Sequence, residues 1–255
     1  MITTVLDPIG IEITDLPLPT IDESLVPRMR SLLAEHGVVI LPGQSADDRT
    51  FLMFLRRFGS LMFTAGETPV DSFPDLNVIS NVGRTTPPRS VFHVDTSYVT
   101  HPPAYTALRA VTIPERGGET LFTNQYRAYE TLSDAIRNRL QGRSIRHVVS
   151  GLATSEAGAQ TEAEHPVFRT HPISGRTSLY LSTPERCVAI SDLEEDEAQE
   201  TIAYLYEHST QADNVLRHTW SPGDVVIWDN GVVLHRADHH DVSGNRVMHR
   251  GMVAA

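Results

Sequence analysis

A chain of 255 residues with 40% hydrophobic content is long enough to bury a sizeable core, and a formal net charge of -11 argues against a nucleic-acid surface or an anionic-membrane binder. The single cysteine, Cys187, excludes an intrachain disulfide and reads as a small buried hydrophobe. The N-terminal residues lack a basic region ahead of an apolar run, and no stretch approaches the roughly 20 apolar residues of a spanning helix, so a cytoplasmic protein with no membrane partner is expected.

In chain order, residues 22–35 place Leu25, Met29, Leu32 and Leu33 on one helical face, with Gly37 as a stop. Val38-Val39-Ile40-Leu41 before Pro42-Gly43 reads as a buried strand and turn. A second helix is expected over 47–58, ending at Gly59, and a third and fourth around 126–140 with Ser133 as a cap between them. Short strand-like runs recur at 76–79, 105–111, 120–122, 147–150, 178–181, 224–228 and 246–253, and many short strands favour a sandwich or barrel. A late helix is expected over 193–208, opened by Asp192 and the acids Glu194, Glu195 and Asp196, which suit the positive end of the helix dipole. The polar stretches 82–90 and 153–164 read as loops, either lids over a site or plain surface connections. No repeat or linker divides the chain, so residues 1–255 are expected to form one domain.

Among twelve histidines, His93 is singled out by Val91-Phe92-His93-Val94-Asp95, where strand alternation would set an imidazole and a carboxylate on one face. With a second histidine they would form a facial triad, which leaves coordination positions open as an iron(II) oxygenase requires. Near the C-terminus, Trp228-Asp229-Asn230 leads to His235, followed by a polar turn at 241–245 and Arg246-Val247-Met248-His249-Arg250. A hairpin there would bring Arg246 beside the metal held by His235. Arg246 and Arg250 share a strand face, roughly 13 Å apart along it. From the strand pattern alone, both an inward face needing anionic partners and a solvated edge paired with carboxylates stay open.

These residues resemble the taurine dioxygenase / 2,4-dichlorophenoxyacetate dioxygenase family of iron(II)/2-oxoglutarate-dependent oxygenases. The resemblance runs over most of the chain: Phe58-Gly59, Phe92-His93-Val94-Asp95-Thr96-Ser97-Tyr98, Gly117-Gly118-Glu119-Thr120, Ala128-Tyr129-Glu130, His165-Pro166-Val167, Thr170-His171-Pro172, Trp228-Asp229-Asn230 and the Arg246 to Arg250 segment. It implies a mainly β fold with flanking helices, a double-stranded β-helix or jelly-roll barrel. It implies that His93, Asp95 and His235 are the Fe(II) ligands and the catalytic centre, and that Thr120 and Arg246 hold the distal carboxylate of the co-substrate 2-oxoglutarate. Arg250, helped by the backbone amide of Thr96, would contact the anionic group of a small organic substrate.

With O2, such an enzyme decarboxylates 2-oxoglutarate to succinate while oxidising its substrate, most simply by hydroxylation. Asp95 argues for oxygenation rather than halogenation, since related halogenases lack that carboxylate. Where taurine enzymes carry a histidine and a tyrosine, this chain reads Met62-Phe63-Thr64-Ala65-Gly66-Glu67, so the resemblance does not extend to taurine itself. Thr64, Glu67 and Arg89 are further candidates for substrate contact, and Arg84 shares the loop of Arg89. If Glu67, Glu185 or Arg186 faces the pocket, a substrate with more than one charge, such as an amino-acid derivative, is favoured. A metal-dependent hydrolase on the same three ligands would leave Arg246 and Thr120 without a role, and a non-catalytic binding module would be expected to have lost a ligand. Members of the family commonly assemble, so the resemblance leaves a homo-oligomer open, and the residues themselves do not decide the oligomeric state.

Overall fold

The computed structural model describes residues 1–64, 66–83, 90–150 and 160–255. The chain begins with β1 (Ile2–Val5), β2 (Ile11–Thr14), α1 (Val26–His36), β3 (Val38–Leu41), α2 (Asp48–Phe58), β4 (Leu61–Met62), β5 (Pro69–Val70), β6 (Phe73–Ser80) and β7 (Tyr105–Thr112). It continues through β8 (Thr120–Thr123), α3 (Gln125–Glu130), α4 (Asp134–Leu140), β9 (Ser144–Val148), β10 (Glu162–Pro166), β11 (Phe168–Thr170), β12 (Thr177–Leu179) and β13 (Cys187–Ile190). It closes with α5 (Glu195–Ser209), β14 (Val215–His218), β15 (Val225–Asp229), β16 (His235–Ala237) and β17 (Val247–Val253).

Two sheets of this jelly roll matter for the site. The larger runs β1-β2-β3-β15-β7-β17-β6-β5, with β4 also on β17; the smaller runs β14-β8-β16. The central strands of the large sheet are apolar on both faces, and period-two alternation sorts their residues into two cores. Val39, Leu41, Leu76, Ala107, Val225, Ile227 and Val253 pack against Met29 and Leu33 of α1 and Phe51, Phe54, Leu55 and Phe58 of α2. Val38, Ile40, Leu108, Ala110, Val226, Trp228 and Met248 point the other way and meet Phe122 of β8. The small sheet turns Leu121 and Leu234 outward, onto a third core with Leu179, Cys187, Ile202 and Leu205. Residues of even parity with Phe122 and His235 therefore face the space between the sheets.

Helix boundaries follow local chemistry. Asp47 caps α2 by accepting from the Thr50 amide, and Ser133 caps α4 by accepting from the Ile136 amide. Gly37 ends α1 at φ 69°, its N–H donating to the Leu33 carbonyl. The start of α5 differs from expectation: Glu194, not Asp192, holds the cap position, and Asp192 sits at φ 55° in the preceding turn. Glu195, Asp196 and Glu197 do occupy the first turn.

Gly251 shows how tightly α2 lies on β17. A Cβ there would come within 2.2 Å of Leu55 Cδ1 and 3.1 Å of Leu76 Cδ2. Gly251→Ala is expected to destabilise the fold by about 1–3 kcal/mol, the usual cost of overpacking. Chemical denaturation of the two proteins measures this, and an unchanged midpoint would show that α2 yields.

Candidate active site between the two sheets

His235 enters from β16, whose register sets it opposite Phe122. His93 lies outside the regular strands but exchanges two backbone hydrogen bonds with His235, each 3.0 Å, so the imidazoles stand side by side with centroids 4.4 Å apart. The segment from His93 to Asp95 is thus not the continuous strand expected from alternation. It is a single bridge followed by a turn in which Thr96 takes φ 42°. The convergence holds nonetheless: one ligand atom from each of His93, Asp95 and His235 lies within 4.8 Å of the others.

Electrostatics favour the ligand forms. The Nδ1–H of His93 donates to the Val91 carbonyl at 2.9 Å, which frees Nε2 towards Asp95 Oδ1, 3.8 Å away. His235 Nε2 is 3.7 Å from Asp95 Oδ2. Burial pushes His235 down to about 3 and also lowers His93, against the pull of Asp95 in both cases, so both rings are neutral with a free lone pair. Burial alone would raise Asp95, but the carboxyl is held below the usual range by its charged neighbours, His235 and His93 where they are protonated and Arg250 at every pH, and by the Thr106 hydroxyl. Two neutral imidazoles and one ionised carboxylate are a donor set suited to ferrous iron.

A relay braces the carboxylate. Trp228 Nε1 donates to Asn230 Oδ1, Asn230 Nδ2 to Thr106 Oγ1, and Thr106 Oγ1 to Asp95 Oδ2, at 3.2, 2.9 and 2.8 Å. Trp228 also lies against His235, centroids 4.5 Å apart. Thr106→Val is expected to weaken Fe(II) binding by about 10-fold while leaving the fold intact, because supporting hydrogen bonds orient the ligand without touching the metal. Metal titration measures this, and unchanged affinity would show that the relay is idle.

Arg246 and His235 are not joined by the expected hairpin. β16 pairs with β8, whereas β17 pairs with β7 and β6, so the two residues belong to opposing sheets, and Arg246 reaches the small sheet at Thr120. Arg246 is 1% exposed; its Nε donates to the Gly118 carbonyl at 2.8 Å and its Nη2 to Thr120 Oγ1 at 3.2 Å. Gly118, at φ 79°, makes room: a Cβ there would lie 3.0 Å from Arg246 Cδ. Trp220 Nε1 also donates to Thr120 Oγ1, at 3.0 Å. With both acceptor positions of that hydroxyl engaged, its own proton is free to be donated onward. Burial pulls Arg246 down to about 10, and no carboxylate lies within ion-pair distance of it among the described residues. This buried guanidinium lacks an anion.

Arg250 faces the same interior but is paired, through Nη2 to Glu67 Oε2 at 2.5 Å and Nη1 to Asp95 Oδ1 at 3.3 Å. Of the other expected substrate residues, Thr64 and Thr96 each keep a buried hydroxyl oxygen without a partner among the described residues. Arg84 and Arg89 lie outside the described residues, as do most of the two expected loops. Arg186, on which the sequence left two readings open, is buried, donates from Nη1 to the Val94 carbonyl at 2.9 Å and lies over the Tyr98 ring. Sequence reasoning missed Thr106, Trp220 and Tyr98; Tyr98 and Asn230 fall in quoted motifs, but nothing in the spacing flags Thr106. A separate cavity of about 310 Å³, lined by Arg30, His101, Tyr105, Arg169, His171 and Tyr180 among others, contains none of the three ligands.

A jelly roll that closes between its sheets two histidines, a carboxylate and an arginine without a carboxylate partner among the described residues defines the class of 2-oxo-acid-dependent, non-haem iron dioxygenases. The chain belongs to the taurine catabolism dioxygenase TauD, TfdA family, whose profile matches residues 3–252. It is similar to the alpha-ketoglutarate-dependent 2,4-dichlorophenoxyacetate dioxygenase of Cupriavidus pinatubonensis, 29% identical over 94% of this chain and 92% of that protein. A Schizosaccharomyces pombe relative, 29% identical over 93% of this chain, is longer, and the chain spans 65% of it. The structure superposes on a taurine dioxygenase from Burkholderia xenovorans with a TM-score of 0.85 at 30% identity, covering 99% of this chain and 90% of that one. Among the described residues, no helix is long and apolar enough to cross a membrane.

Proposed function

We propose that this protein is an Fe(II)- and 2-oxoglutarate-dependent dioxygenase that oxidises a small anionic organic molecule, most simply by hydroxylation. The observation that carries the reading is the buried Arg246, without a carboxylate partner among the described residues, beside the Thr120 hydroxyl and in the same interior as the His93, Asp95 and His235 cluster. A dicarboxylic acid that reaches both would supply an anion for Arg246 beside the residues that would hold the metal. The hydrolase alternative gives neither Arg246 nor Thr120 work.

His93 and His235 would hold the metal through Nε2 and Asp95 through its carboxylate, which Thr106 braces. Bound iron supplies the activation of dioxygen that couples loss of CO2 from 2-oxoglutarate, giving succinate, to insertion of one oxygen atom into the substrate. Arg246 grips the distal carboxylate with its planar fork, and the free Thr120 proton donates to the same group. Arg250, at the other end of the inward row of β17, receives the substrate's anionic group, with Thr96 and Thr64 nearby. Of the relatives named above, one is a 2,4-dichlorophenoxyacetate dioxygenase and one a taurine dioxygenase, and both of those compounds are small organic acids. The reading includes a single domain and a cytoplasmic location, the latter resting on the N-terminal residues, the lack of a long apolar stretch and the single cysteine together.

The protein with Fe(II), 2-oxoglutarate and air is expected to release succinate slowly alone and faster with a substrate from a panel of carboxylates, sulfonates and amino-acid derivatives. Absence of succinate under every condition contradicts the reading.

A further inference from the structure

One polar side chain of the interior has no part in the scheme above. Asn77 on β6 is 0% exposed, and neither its Oδ1 nor its Nδ2 has a hydrogen-bond partner among the described residues. Its direction follows from its neighbours: Leu76 and Val78 pack on the helix side of the sheet and Ile79 on the inner side, so Asn77 points inward with Ile79. Its partner in register is Arg250. Directly paired residues share a face with Cβ atoms about 5 Å apart, so the amide stands beside the guanidinium.

The same corner gathers further unmet polar atoms. Arg250 Nε, Thr64 Oγ1 and Thr96 Oγ1 are buried without partners among the described residues. Thr64 lies two residues beyond Met62, which pairs with Met252 two residues beyond Arg250, and Thr96 follows Asp95, which Arg250 touches. Buried amides left unpaired are costly, so an asparagine in the apolar run Leu76-Asn77-Val78-Ile79 calls for a ligand that offers it both a donor and an acceptor.

We propose that Asn77 and Glu67 are specificity-determining residues that select an amino-acid-like substrate, one carrying an ammonium or N–H group next to its anionic group. The proposal rests on the reading that Arg250 receives the substrate's anion. Glu67 already holds Arg250 Nη2 at 2.5 Å. A simple anion that takes its place leaves the Glu67 carboxylate stripped of its partner. A substrate that brings its own N–H donor gives Glu67 a new partner in the exchange, and every charge stays paired. Asn77 completes the match: Nδ2 donates to the anion alongside Arg250, and Oδ1 accepts from the N–H. A plain carboxylate meets half of these groups and leaves the rest unsatisfied.

The test measures succinate release by the Fe(II)-loaded protein with L-amino acids, each paired with its des-amino carboxylic acid. Amino-bearing members are expected to stimulate turnover, with des-amino partners at least about tenfold weaker in kcat/KM. Asn77→Leu is expected to raise KM for the stimulating amino acid about tenfold or more, and Glu67→Gln to narrow the preference between paired acids. Because leucine removes two unmet polar atoms, the Tm of Asn77→Leu should equal or exceed that of the parent, whereas a structural amide would lower it; Asn77→Ala repeats the kinetic arm with a smaller side chain. Equal stimulation by des-amino acids, no stimulation by any amino acid, or a KM unmoved in both Asn77 variants overturns the proposal while basal succinate release leaves the oxygenase reading standing. A parent protein that forms no succinate at all fails at the oxygenase reading instead.

Discussion

An Arg246→Leu enzyme is expected to need about 100-fold more 2-oxoglutarate for half-maximal succinate formation. Breaking a buried, hydrogen-bonded charge pair typically costs 2–5 kcal/mol or more, and about 2.7 kcal/mol corresponds to that factor. The residue suits a large effect: it is almost wholly buried, anchored by Gly118 and Thr120, and without a carboxylate of its own among the described residues. Leucine removes a buried charge that is unpaired in the unliganded protein, so Tm should hold or rise even as co-substrate affinity collapses. Opposite movement of the two quantities separates a binding residue from a structural one. A fall in Tm with unchanged KM for 2-oxoglutarate would assign Arg246 to the fold.

The second large effect is expected from Asp95→Ala. The carboxylate is the anionic member of the ligand cluster, and loss of a mere supporting hydrogen bond already costs about 10–100-fold in metal affinity. Removal of the ligand itself should cost at least about 100-fold, and succinate formation should fall below detection. Asp95 also accepts from Thr106 and Arg250, so both lose a partner and the metal-free variant should melt below the parent. A ligand that binds only the folded chain raises Tm by mass action; Fe(II) or Mn(II) should therefore raise the Tm of the parent and not that of Asp95→Ala. An equal rise in both would place the metal elsewhere.

Much of this architecture is legible in the residues. The α1 stripe, the run of α2, their stops at Gly37 and Gly59 and the cap at Ser133 are local signals that tertiary packing did not override. The strands at 38–41 and 105–111 likewise follow from apolar runs between turn residues. The three-residue cluster and Arg246 were legible through motif order, and their geometry was not. A short polar turn between His235 and Arg246 suggests a hairpin, whereas in a jelly roll successive strands pass to opposite sheets, and the 238–246 connection makes that crossing. Asn77 and Thr106 were invisible for a related reason. Each is one polar residue inside a strand whose alternation reads equally well with that residue facing solvent, and only the burial of both sheet faces turns it inward.

The central claim is that one metal and one 2-oxo dicarboxylic acid share the space between the sheets. Anaerobic calorimetric titration of 2-oxoglutarate into protein loaded with Mn(II) tests it directly. The expected result is one molecule bound per chain, with binding lost on omission of the metal and severely weakened in Arg246→Leu. Equal affinity in the metal-free protein, or in a His235→Ala variant that no longer retains metal, would contradict the account.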